Sequence, residues 1–300
     1  MLLVDFVKES VTALESLYPE TEARSIVLML CEDILGTERY THIVEPQYQI
    51  DEKKLPLLSA AMERLRAGEP IQYVLGKADF YGRRFNVTPD VLIPRSETEL
   101  LCRDAIKTAS RISRMRIPYG KNAVPVRILD LCTGSGCIAW TMALAVPGCK
   151  VTAVDISDNA LSVASGQDFS SEIKATGASK PEFVKADVLD TEQDFPVHPF
   201  DIVLSNPPYI MESEKKDMRK NVLDYEPALA LFVSDDDPLV FYRAVARWSQ
   251  RFLTPEGLGF VEVNESLAPQ TEAVFREAGY THTEIVKDLY DKNRYVFYHK

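Results

Sequence analysis

From Val126 onward the chain alternates short apolar runs with helical patterns, and that alternation restricts it to very few architectures. The runs are residues 126–131, 150–155, 182–186, 200–204 and 258–263. Apolar strands of this kind, separated by helices, have to be covered on both faces, which is the condition of a parallel sheet between helical layers. Residues 284–287 and 294–298 read as a closing hairpin. The expectation is therefore α/β, a doubly wound seven-stranded Rossmann-like sheet. No internal repeat or low-complexity tract interrupts it.

Ahead of the sheet, residues 1–70 read as a small all-helical domain. Phe6, Val7, Val11, Leu14 and Leu17 recur at helical spacing up to Pro19; Thr21 is a candidate cap for a second helix that leaves at Gly36; Leu55, Leu58, Met62 and Leu65 make another before Gly68. Thirteen acidic against seven basic residues and no catalytic constellation suit a packing or partner-docking module. Residues 71–95 read as a β-hairpin connector, with short strands at 71–76 and 85–87 split by Gly82-Arg83-Arg84 and a third extended piece at 91–94. Residues 96–300 then form the large domain. It opens on Ser96-Glu97-Thr98-Glu99, which has the spacing of a capping box. The basic stretch from Arg103 to Lys121 that follows reads first as a solvated helix face and loop.

The strand at 200–204 runs into Ser205-Asn206-Pro207-Pro208-Tyr209. Neither proline has an N–H for the ladder, so the strand stops at Ser205 and holds Asn206 at its carboxyl end, where ligands bind in open α/β sheets. The Asn206 side-chain oxygen and the Pro207 carbonyl are two acceptors side by side, suited to a planar –NH2 group, and Tyr209 offers a flat face. Asn-Pro-Pro is also an ordinary turn.

The first strand ends at Asp130 and turns through Cys132-Thr133-Gly134-Ser135-Gly136. Gly134-Ser135-Gly136-Cys137-Ile138-Ala139 satisfies a dinucleotide fingerprint, and Asp155 stands where a ribose-binding acid belongs. That pattern alone leaves a nicotinamide cofactor and S-adenosylmethionine both open. Asp130 favours the second, because a carboxylate there repels a pyrophosphate and suits an ammonium. Asp187 and Val188 suit an adenine, the acid at its amino group and the valine on its face. A lone Asp is more commonly a cap or loop residue, but four strand ends carry fitting groups. Methyl transfer from a sulfonium needs a lone pair on the acceptor nitrogen. Accepting both hydrogens of an amide or aromatic amine frees one, so the –NH2 belongs to glutamine, adenine or cytosine. A nicotinamide oxidoreductase would also need a placed proton donor, and no histidine stands at the carboxyl end of the fourth strand.

These residues resemble the HemK-type (PrmC) glutamine methyltransferases of peptide chain release factors, from the helical domain to the last strand. The markers are Gly68-Glu69-Pro70-Ile71-Gln72-Tyr73 with Gly76, Phe80-Tyr81-Gly82, Phe85, Leu92-Ile93-Pro94-Arg95-Ser96-Glu97-Thr98-Glu99, residues 130–136 and 206–209, Tyr225-Glu226-Pro227 with Ala230-Leu231, and Asn293-Arg294. Asn-Pro-Pro-Tyr alone is shared with adenine methyltransferases; the stretch around Arg95 is far more specific. Ser96 departs from the family's usual proline, and residues 110–125 make a longer stretch than usual. The resemblance implies a class I methyltransferase sheet and methylation of the glutamine in the Gly-Gly-Gln tripeptide of release factors. It implies that Thr133, Gly134, Gly136, Asp155 and Val188 hold S-adenosylmethionine (released as S-adenosylhomocysteine), while Asn206, Pro207, Pro208 and Tyr209 hold the glutamine, with Asn206 and Pro207 catalytic. Asp130, Cys132, Ser135, Asp187 and Asn206 complete the expected cofactor site. A sister group acting on a ribosomal-protein glutamine shares most core motifs and is the alternative, alongside an adenine amino group.

Composition narrows the setting. The net charge of −11 argues against stable nucleic-acid binding. Five cysteines without metal spacing and the scattered His42, His198, His282 and His299 suggest neither disulfides nor a metal site, hence a reducing, cytoplasmic setting. No apolar run is long enough to span a membrane. A monomer is expected, because a large protein substrate must reach the strand ends.

Overall fold

The computed structural model describes residues 1–116, 124–195 and 199–300. His198 and the basic stretch beyond Arg116 lie outside them. The chain divides into two compact units, residues 1–77 with 218–225, and residues 78–217 with 226–300.

The first unit holds α1 (Leu3–Leu14), α2 (Glu20–Leu35), α3 (Thr41–Val44), α4 (Leu55–Arg66) and α5 (Ile71–Leu75). Leu14, Val27, Leu30, Leu58 and Leu65 close its core. α2 leaves through Gly36 in the left-handed region, as expected, but it starts at Glu20 behind Pro19, so Thr21 lies inside the helix and does not cap it. Residues 71–75 are helical and not a strand. Pro70 precedes the helix, Gly76 ends it with φ 68°, and the Arg64 guanidinium donates to the carbonyls of Tyr73 and Val74 at 3.0 Å each. The Tyr73 carbonyl also accepts from the Gly76 N–H at 3.2 Å, so the end of this single turn is held both by its own cap and by a side chain from upstream, in a segment whose composition looks strand-like.

The second unit begins with a hairpin, β1 (Lys77–Phe80) and β2 (Arg83–Asn86). The strands lie nearer together in sequence than expected because Tyr81 and Gly82, with φ 50° and 72°, make a two-residue turn with both φ values positive. Glu99 accepts from the Tyr81 N–H at 2.8 Å, while the Ser96 hydroxyl donates to Glu97. The expected capping box is therefore not formed; α6 (Thr98–Arg116) starts two residues after Ser96, and Glu99 holds the hairpin turn instead. Residues 91–94 carry no strand. At the far end of α6, Arg116 forms a bidentate pair with Asp201 at 2.9 and 2.6 Å.

The sheet follows the expected order of elements: β3 (Arg127–Leu131), α7 (Cys137–Ala145), β4 (Lys150–Asp155), α8 (Asp158–Ser165), α9 (Ser170–Thr176), β5 (Glu182–Lys185) and β6 (Phe200–Ser205). After β7 (Ile210–Met211), α10 (Lys220–Tyr225), α11 (Ala228–Leu231) and β8 (Phe232–Val233) come α12 (Val240–Phe252), β9 (Leu253–Glu262), α13 (Ala268–Glu277), β10 (His282–Lys287) and β11 (Asn293–His299). The seven strands lie in the order β10-β11-β9-β6-β3-β4-β5; β11 is antiparallel to both neighbours and the other pairings are parallel. The winding reverses between β3 and β6, so their carboxyl ends frame the crevice where such sheets bind ligands. Alternate residues serve opposite layers. Ile128, Ile202, Leu204 and Phe260 pack with α6 and α7, whereas Leu129, Val203 and Val261 pack with α12 and α13. Among the described residues no helix is long and apolar enough to cross a membrane.

Gly259 sits opposite Tyr298 in the β9–β11 ladder, and a Cβ there would overlap the Tyr298 ring. That ring is fully buried, with its hydroxyl 2.7 Å from Ser249. Gly259→Ala should therefore destabilise the fold by about 1–3 kcal/mol, read as a lower urea midpoint; an unchanged midpoint would contradict this packing.

Candidate active site

The turn after β3 is built to leave room above it. Cys132, Gly134 and Gly136 all take positive φ, 61°, 52° and 79°. A non-glycine residue there is strained, and such strain gathers at functional sites. The turn is pinned by its neighbours: the Thr133 N–H donates to the Val154 carbonyl at 2.9 Å, and the Gly134 N–H to Asp155 Oδ2 at 2.9 Å. A Cβ on Gly136 would lie 3.0 Å from the Ala164 Cβ and 3.1 Å from the Trp140 ring, so this glycine lets α7 pack on α8. At Gly134 a Cβ would meet nothing, because the space opens into a cavity of about 330 Å³.

Every expected strand end reaches this cavity or its floor. Cys132, Thr133, Gly134, Ser135, Asp155, Asp187, Val188, Asn206 and Pro208 line it. Asp130, Gly136, Pro207 and Tyr209 are not among the lining residues. Asp130 is fully buried beneath the turn; its Oδ2 accepts from the Thr133 hydroxyl at 2.6 Å and its Oδ1 has no partner. Burial, with a smaller push from the nearby Asp155, raises its carboxyl to about 7. Asp155 is also raised by burial, although the N–H groups of Ser157, Gly134 and Ile156 pull it back. The Gly134 and Ser157 N–H groups take one lone pair on each oxygen, at 2.9 and 3.0 Å, which leaves acceptor capacity in a residue that lines the cavity. Asp187 accepts from the Leu189 N–H at 2.9 Å, and the carbonyl of buried Val188 accepts from the Trp248 indole at 2.9 Å.

At the other strand end, the Ser205 hydroxyl donates to the Leu131 carbonyl at 2.9 Å and ties β6 to β3 just before Asn206. The Asn206 amide nitrogen donates to the Thr98 hydroxyl oxygen at 3.2 Å. Thr98 donates to Glu262 Oε2 at 2.6 Å, and Tyr209 donates to Glu262 Oε1 at 3.0 Å. Glu262 is 4% exposed; burial pushes its carboxyl up, while Thr98 and Tyr209 pull it back. The Tyr209 hydroxyl itself is pushed well above the usual tyrosine range by burial and by Glu262.

Several lining residues were not expected at the site: Val91, Leu92, Thr98, Leu229 and Phe241 among them, although Leu92 and Thr98 stood in the quoted family stretch. Arg95 also lines the cavity, paired at 2.7 Å with Glu226, whose other oxygen accepts from the Ile93 N–H at 3.3 Å. No local pattern links positions 131 residues apart; both belonged to the quoted family markers, and that was the available signal.

Comparison with known proteins decides the family. The PrmC N-terminal domain matches residues 5–76 and the methyltransferase small domain residues 97–225. A release factor glutamine methyltransferase of Flavobacterium psychrophilum is 36% identical over 99% of this chain and 98% of its own length. One from Bacteroides thetaiotaomicron is 35% identical over 94% of each. The chain belongs to the release factor glutamine methyltransferase family. The hMettl16 catalytic domain, solved in complex with MAT2A 3'UTR hairpin 6, shares the fold at 12% identity; its TM-score is 0.50, over 83% of this chain and 82% of that one. The chain is thus an α/β protein of the class I methyltransferase fold.

In this family member the raised Asp130 carboxyl makes a pH signature. Its ordinary value is 3.8 and its folded value about 7, so between them the folded state holds a proton that the unfolded state has lost. Stability from this group therefore falls as pH rises through that window. Without ligand, the melting temperature of the wild type should drop relative to Asp130→Asn as pH is raised from about 4 to about 7; a constant difference would show Asp130 ionised throughout.

Proposed function

We propose that the protein transfers a methyl group from S-adenosylmethionine to the side-chain amide nitrogen of the glutamine in the Gly-Gly-Gln tripeptide of peptide chain release factors. The observation that carries this is Asn206. It lines one cavity with Asp155, Asp187 and Val188, its amide nitrogen is occupied by Thr98, and no described hydrogen bond occupies its Oδ1. The relatives' activity agrees with that chemistry.

The site fits the cofactor on its own features. The orphaned Asp130 Oδ1 awaits a cationic partner under the turn, the open side of Gly134 leaves room for a backbone-close ligand, and Asp155 keeps free lone pairs for ribose hydroxyls. Asp187 and Val188 would take the adenine, with Cys132, Thr133 and Ser135 walling the middle. When bound, the cofactor supplies an electrophilic methyl group on a sulfonium. Asn206 Oδ1 and the Pro207 carbonyl accept the two amide hydrogens of the glutamine, which favours a pyramidal nitrogen with an available lone pair. These dipoles are fixed in advance by the end of β6, so nothing reorganises as the charge develops. Pro208 borders the same space. The unit of residues 1–77 with 218–225 acts as the docking domain and that of residues 78–217 with 226–300 as the catalytic domain; the protein works in the cytoplasm, as a monomer.

Asn206→Ala should cut methyl transfer to a purified release factor by about a hundredfold or more while S-adenosylmethionine still binds. Turnover near the wild-type level would remove Asn206 from the chemistry. Asp155→Ala should weaken cofactor binding in calorimetry by about tenfold, the loss of one charge-assisted pair of hydrogen bonds; an unaltered dissociation constant would refute the ribose role.

A further inference from the structure

A side-chain amide is nearly symmetric in shape and opposite in polarity at its two ends, so a half-turn of Asn206 would present donors where the reaction needs an acceptor. Something must fix which end faces the cavity. We propose that Thr98 and Glu262 are positioning residues that hold the Asn206 oxygen toward the substrate amide, a role that rests on the methyl transfer proposed above.

The direction follows from counting protons. The hydroxyls of Thr98 and Tyr209 favour the ionised form of Glu262 against the burial that opposes it, and an ionised carboxylate only accepts. Glu262 receives the Tyr209 hydroxyl on Oε1 at 3.0 Å and the Thr98 hydroxyl on Oε2 at 2.6 Å. Thr98 has a single hydroxyl proton, and it is spent on Glu262. Toward Asn206, 3.2 Å away, the Thr98 oxygen can then only accept, so the group facing it is the amide –NH2. Oδ1 is left for the cavity. Both relay residues are buried, Thr98 at 1% and Glu262 at 4% exposure, so the bond between them is shielded from solvent, while the Thr98–Asn206 bond lies at the edge of the cavity. The members come from three places in the chain: Thr98 opens α6, Glu262 ends β9, and Asn206 and Tyr209 follow β6. Holding four side chains in one chain of bonds across these elements orients one amide, and Glu262 is not itself among the residues that line the cavity.

Thr98→Val removes the hydroxyl at nearly constant volume. With a purified release factor and S-adenosylmethionine, its kcat should fall about ten- to a hundredfold, the consequence of an unpaired –NH2 and a freely flipping amide. KM for the release factor and the cofactor dissociation constant should stay within about twofold, and Thr98→Ser should recover most of the lost kcat, since its hydroxyl can make the same bonds. Where the valine variant does not fold, Thr98→Ala removes the same hydroxyl without adding bulk. Glu262→Gln is the second arm: an amide there can donate to Thr98 and free its hydroxyl to turn toward Asn206 Oδ1, so kcat should fall again although the volume is unchanged. A wild-type kcat in both the Thr98 and Glu262 variants, a loss carried by weaker cofactor binding, or no recovery with serine would each overturn the proposal. Asn206→Ala in the same assay separates the two claims. If it is inactive while the relay variants turn over normally, only the positioning role fails; if it too is active, the reading of the site fails with it.

Discussion

The pairing of β3 with β6 at the middle of the sheet is the constraint on which the site depends. Sequence order reverses there, so the loops after the two strands leave in different directions and open a crevice at their carboxyl ends. Ser205 binds the Leu131 carbonyl across that pair, and the two prolines after Asn206 forbid any continuation of the ladder. One half of the cavity lining comes from the ends of β3, β4 and β5, and the other, with Asn206 and Pro208, from the end of β6. Moving β6 by one residue would turn Asn206 to the other face of the sheet and separate the halves.

Three carboxylates lie around this crevice, Asp130 and Glu262 buried and Asp155 half-buried, and desolvation pushes each of them up. Asp130 lies under the glycine turn, with the Thr133 hydroxyl on one oxygen and the other unpaired. Asp155 spends part of its acceptor capacity on Gly134 and Ser157, so it shapes the turn it shares the cavity with. Glu262 never reaches the cavity lining and works through Thr98 and Tyr209. Of the three, only Asp155 faces the cavity directly; the other two act on it through the turn and through Thr98.

The strands, the glycine turn, Asp155 and Asn206 were legible because each is announced within a few neighbouring residues. Apolar runs ending in an acid or in Asn-Pro-Pro carry both the element and its terminus. What failed was decided from a distance. Ile71-Gln72-Tyr73-Val74-Leu75 has strand-like composition, yet the guanidinium of Arg64 satisfies the carbonyls of a helical turn there. Ser96 and Glu99 have capping-box spacing, but the Tyr81 N–H takes Glu99. Thr98 and Glu262 are 164 residues apart and Arg95 and Glu226 131 apart, and no periodicity joins such pairs. Composition spoke to neither, since a buried glutamate is rare until its partners are known.

The most direct measurement is transfer of labelled methyl from S-adenosylmethionine to a purified peptide chain release factor, run beside the same factor with Gln→Ala in its Gly-Gly-Gln tripeptide and beside duplex DNA. The account predicts label on the unaltered factor and on neither control. Label on the DNA, or on the altered factor as readily as on the unaltered one, would contradict it.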